Sequence, residues 1–66
     1  MKKLSYTEMQ EKFAKLSWKN QVLILHGALD YMQQYNGRTR LECIALAMGY
    51  VMDYDENNQH IFIKRS

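Results

Sequence analysis

The stretch Trp18 to Tyr35 (WKNQVLILHGALDYMQQY) constrains the fold of this chain more than any other, because it alone is long enough to make a helix spanning a small domain. Trp18, Val22, Leu25, Leu29 and Met32 follow the alternating four-and-three spacing of one helix face, and Ile24, Ala28, Tyr31 and Tyr35 make a second apolar row beside it. Lys19, His26, Asp30 and Gln33 form a third, polar row for solvent. The apolar arc is too broad for one neighbour, so the rest of the chain, or a second copy of it, must pack on two sides of this helix. Gly27 in its middle costs about 1 kcal/mol relative to alanine, which reads as the close approach of a crossing element.

Sixty-six residues make one small domain, residues 1–66. A chain of this length buries only about 60% of the surface its unfolded form exposes. Cys43 is the only cysteine, so there is no internal disulfide, and no Cys/His set has zinc-finger spacing. Oligomerisation is the remaining supplement for a small core, and a homodimer is the expectation. A hydrophobic fraction of 47% without proline belongs to a folded chain. Met1-Lys2-Lys3-Leu4-Ser5-Tyr6-Thr7 has the basic start of a signal peptide with no apolar run behind it. The longest apolar stretch, Cys43 to Met52, is far short of the roughly 20 residues a membrane helix needs. A cytoplasmic protein with no membrane partner follows, and the lone thiol fits a reducing compartment.

Helix signals bracket the long segment. Ser5-Tyr6-Thr7-Glu8 and Thr7-Glu8-Met9-Gln10 both read as capping boxes and predict a first helix over about 8–16, with Met9, Phe13 and Leu16 inward. Ser17 caps the long helix over about 18–35, and Asn36-Gly37 closes it. Thr39-Arg40-Leu41-Glu42 is a further capping box and Gly49 a stop, which predicts a third helix over about 40–48. Cys43, Leu46 and Ala47 leave that helix apolar all round, so they are assigned to a dimer interface. The period then changes to two. With Asn57-Asn58 as a two-residue turn, strands over about 50–55 and 60–64 form a hairpin, in which Tyr54 faces Ile61, Met52 faces Ile63, and these with Tyr50 line the inner side. The expected fold is α+β, three helices and a C-terminal two-stranded hairpin.

In that register Phe62 stands outward among Asp53, Asp55, His60 and Lys64, an aromatic ringed by charges, as at a protein-binding anchor. Phe62, His60, Asp53 and Asp55 are therefore the candidate partner site. A slip of one residue would put Phe62 inside instead.

Catalytic and metal chemistry find little support. Cys43 with His26 or His60 lacks an exposed setting for a thiolate, because the thiol lies in an apolar helix. His26 and Asp30 lack a third ligand. Asp53-Tyr54-Asp55-Glu56-Asn57 imitates a calcium loop, but Asn58 replaces the required glycine and Lys64 the bidentate glutamate. No enzyme and no cofactor are expected.

Three helices followed by a hairpin resembles the order of elements in a winged helix, which implies a DNA-binding regulator reading the groove with the third helix. Arg38, Thr39, Arg40 and Lys64 would carry that alternative. Residues 1–40 hold seven Lys and Arg against three Asp and Glu, whereas residues 41–66 hold two against four. A basic half suits nucleic acid or an acidic protein surface alike. Five Met and five Tyr in so short a chain favour a protein partner, and the leading expectation is a small non-catalytic modulator or inhibitor, of a size suited to a phage or other mobile element.

Overall fold

Each helix starts at a side chain that accepts a backbone N–H. In the structure, a computed structural model describing residues 3–65, Ser5 caps α1 (Tyr6–Ala14), Ser17 caps α2 (Trp18–Gln34) and Thr39 caps α3 (Arg40–Ala47). Of the two overlapping boxes at the start, the Ser5 box forms. Glu8 N donates to Ser5 Oγ at 3.1 Å and Ser5 N to Glu8 Oε1 at 2.8 Å, so α1 begins two residues before its expected start. Gln21 Nε2 donates to the carbonyls of Ala14 and Leu16 at 3.2 and 3.0 Å and locks the joint between α1 and α2.

The class is α+β, as expected, but the sheet has three strands. β1 (Lys3–Ser5) pairs with β3 (His60–Lys64), and β3 pairs with β2 (Tyr50–Tyr54), all antiparallel in the order β1-β3-β2. β1 was not expected; it is three residues long with Leu4 its one apolar side chain, too short to show a period.

α3 lies between the sheet and α2. Leu41 and Ala45 join Leu4, Met9, Tyr50 and Phe62 in a core against the sheet. Cys43 and Ile44 pack with Ala28, Ile24, Leu25 and Tyr31 on the side of α2, and Met48 touches both clusters. The close approach expected at Gly27 is present, since a Cβ there would stand 3.4 Å from Cβ of Ala47. Gly49, at φ +89°, turns the chain from α3 into β2. Lys64 Nζ and Arg65 Nη2, each 3.4 Å away, donate to the Met48 and Leu46 carbonyls at the end of α3, where a cation is favourable.

The hairpin register differs from the expected one by a single residue. Met52 lies opposite Phe62, Asp53 opposite Ile61 and Tyr54 opposite His60. The loop is the reason. Asp55 N donates to the Gln59 carbonyl and Asn58 N to the Asp55 carbonyl, both at 2.9 Å, so three residues rather than two make the turn. Asp55 Oδ1 accepts from Asn57 N and Gln59 N, also at 2.9 Å, and Asn58 takes the left-handed conformation at φ 63° that closes such a loop. One more loop residue turns every β3 side chain to the other face.

Phe62 is therefore core, with no exposed surface, flanked by Leu4 and Met52 on neighbouring strands and 5.8 Å from the Tyr6 ring. Phe62→Ala should cost about 3–5 kcal/mol, a large part of the total stability of a small domain. Circular dichroism should show the cooperative melt lost or far lowered; an unshifted melting temperature would contradict this register.

Candidate functional site

The residues assigned to a partner anchor do not share one surface. Phe62 is interior, and His60 is on the same side of the sheet, half-buried with its ring 4.8 Å from Tyr54 and 6.1 Å from Tyr6. His60 Nδ1 is enclosed without a hydrogen-bond partner among the described residues. Asp53 faces the opposite side of the sheet, and Asp55 is consumed by the turn. The corrected outer face carries Val51, Asp53, Ile61 and Ile63 beside Lys3 and Ser5 of β1. Of these Ile61 is buried and Val51 exposed.

Arg38, Thr39 and Arg40 stay together at the start of α3, whereas Lys64 lies at its far end with Nζ 5.1 Å from the centre of the Tyr50 ring. Arg38 is engaged locally: its Nη1 is 3.6 Å from Glu42 Oε2, and its guanidinium stands 5.4 Å from the Tyr35 ring centre. Thr39 Oγ1 accepts from Glu42 N at 3.3 Å and shares a 2.8 Å hydrogen bond with the Tyr6 hydroxyl. Arg40 is exposed and borders an open groove of about 460 Å³ shared with Tyr6, Gln10, Phe13 and Ile44. Leu41 to Ala45 are all buried.

Cys43 cannot belong to an interface between copies, because it has no exposed surface and packs inside the chain; Leu46 and Ala47 are half-buried. The apolar surround of α3 is met internally by the sheet and α2. Desolvation pushes the Cys43 thiol above its ordinary value of 9.0, the Glu42 carboxylate adds to the rise and Arg38 opposes it. His26 is exposed on α2 and His60 sits in the sheet, on separate elements from the thiol. Among the described residues no three His, Cys, Asp or Glu side chains group as a metal requires, and no helix is long and apolar enough to cross a membrane.

Native protein should therefore react with a thiol reagent at least about tenfold more slowly than denatured protein. Because folding raises this pKa, its contribution to stability is complete below the unfolded value and is lost as pH rises through the folded one. Equal labelling rates would place the thiol at the surface.

The open surfaces lie elsewhere. On α2 the row Trp18, Val22, Leu25, Leu29, Met32 faces away from the core, with Trp18 78% exposed, Leu29 55% and Met32 42%. The second row, centred on buried Ala28, is the one that packs. On β2, the edge strand, Val51 and Tyr54 are exposed. The spacing of the α2 row was legible in the sequence; that it would be left uncovered was not, since both rows are apolar.

No protein-family model matches the chain, and no curated protein or solved structure is significantly similar to it.

Proposed function

We propose that the protein acts without catalysis, as a small modulator that binds another protein, and that the partner adds an extended segment along β2. The observation supporting this is the edge itself: β2 has β3 on one side, no described strand on the other, and exposed Val51 and Tyr54 along it. Such an edge presents a row of backbone donors and acceptors, and alternate side chains set specificity. Proteins blunt idle edges with lysine, proline or bulges. β2 reads Tyr-Val-Met-Asp-Tyr, with Asp53 as its one charge.

DNA reading by α3 has less support, because a reading helix needs an exposed polar face and Leu41 to Ala45 are interior. Arg40 remains the exposed cation at its start.

Affinity capture from lysate with wild-type protein and with Val51→Glu/Tyr54→Ala tests the proposal. Both side chains are exposed, so the melting temperature should hold while the captured protein falls by about tenfold or more. Undiminished capture by the variant would defeat the β2 assignment. Duplex DNA bound at low salt, with a salt slope that drops by about one unit for each of Arg38 and Arg40 replaced by alanine, would replace a protein partner with nucleic acid.

A further inference from the structure

We propose that the free row of α2 is the interface of an antiparallel homodimer, in which Trp18 of each copy seats in a groove formed by Leu25, Leu29 and Met32 of the other. The proposal is independent of the β2 partner site.

Two features make α2 complementary to itself. The first is a projection and a hollow on one helix. Trp18 is the most exposed of the large apolar side chains, and a groove of about 440 Å³ lined by Leu25, Ala28, Leu29, Met32 and Arg40 opens toward the other end of the row. Trp18 and Leu29 are eleven residues apart, and eleven residues make about three turns, so projection and hollow share a face. An isologous interface requires each copy to carry both halves of the contact.

The second feature is charge. Lys19 and Asp30 are also eleven residues apart, on the flank beside the row, and neither is ion-paired among the described residues. A two-fold axis at the level between Leu23 and Ile24 brings Trp18 opposite Leu29 and Val22 opposite Leu25, each pair occurring twice. Lys19 then lies within two residues, about 3 Å of helix rise, of being level with the partner's Asp30. Antiparallel helices bring equivalent flanks together, so both Lys19–Asp30 pairs form. A parallel pair would set the Lys19 flank against Gln21 and Ala28, which offer no charge, and would align like ends of the helix dipoles.

The four-and-three spacing from Trp18 to Met32 is that of a coiled-coil seam. It spans about 21 Å, which places the interface at the small end of specific contacts and its dissociation constant on the order of 10 µM.

Trp18 is the only tryptophan, so its emission reports on this contact directly. Over about a hundredfold dilution through the micromolar range, sedimentation should pass from dimer to monomer while the emission shifts to the red with the same midpoint. Leu29→Lys should be monomeric with red emission throughout, its circular dichroism melt matching that of the wild-type monomer at the same dilution. At low ionic strength Lys19→Glu and Asp30→Lys should each weaken the dimer about fivefold or more, since each substitution acts twice, and the double exchange should restore it. Val51→Glu/Tyr54→Ala should leave the dimer intact, so this proposal and the β2 proposal fail separately. A chain monomeric at every concentration, or a dimer indifferent to Leu29→Lys, overturns the interface. A dimer broken by Leu29→Lys but not rescued by the charge exchange overturns the antiparallel register.

Discussion

The enclosure of α3 is the constraint on which the rest of the structure depends. An eight-residue helix reading Arg-Leu-Glu-Cys-Ile-Ala-Leu-Ala has too little polar surface to lie at a boundary, so the chain must cover it from more than one side. The sheet takes Leu41 and Ala45, α2 takes Cys43 and Ile44, and Met48 closes the seam between the clusters. Glu42 shows how complete the enclosure is. Its carboxylate is buried, and this is tolerable because Oε1 accepts from Thr39 N at 2.9 Å while Oε2 stands 3.6 Å from Arg38. One residue thus caps the helix and satisfies its own buried charge.

Placing α3 inside decides which surfaces remain for function. An α3 held by core packing on both sides has its side chains committed, so surfaces able to act must be found on the outer layers. α2 is an outer layer and can cover α3 with only one of its two rows. The sheet is the other, with its central strand β3 protected by neighbours and β2 at the margin. Three strands also make Phe62 a core residue in a way two could not, because Leu4 and Met52 flank it on both sides.

Local chemistry was legible in the sequence wherever a side chain acts on its own backbone. Ser17 and Thr39 placed the starts of α2 and α3, and Gly49 the end of α3, because caps and left-handed glycines depend on neighbouring residues alone. The start of α1 was ambiguous because Ser5 and Thr7 both head boxes, and the Ser5 box fits the strand that precedes it. The hairpin register failed for a reason that was nonetheless present: an aspartate at the head of Asp-Glu-Asn-Asn collects turn amides, which favours the longer loop. That single residue moved Phe62 from the candidate site into the core and Ile61 and Ile63 to the outer face. β1 had no comparable signal, since its pairing with β3 is long-range and three residues carry no period.

The choice between the two rows of α2 follows from size rather than hydrophobicity. Helices approach most closely where their facing side chains are small, and Gly27 and Ala28 meet Ala47 and Cys43 at the α2–α3 contact. A row led by Trp18, Leu29 and Met32 would hold the axes apart and open voids around an α3 whose own contact residues are short, and poorly packed voids cost stability. The small-residue row therefore wins the interior although the large-residue row carries more apolar area. The consequence is an unusual distribution for a small domain: its largest side chain stands in water, and burial worth about 25 cal/mol for each square ångström is left unused by the isolated chain. Any association that covers the row adds this stabilisation to a core that is small by construction, so folding and binding on this face are coupled in the sense that ligation of the native state raises its apparent stability.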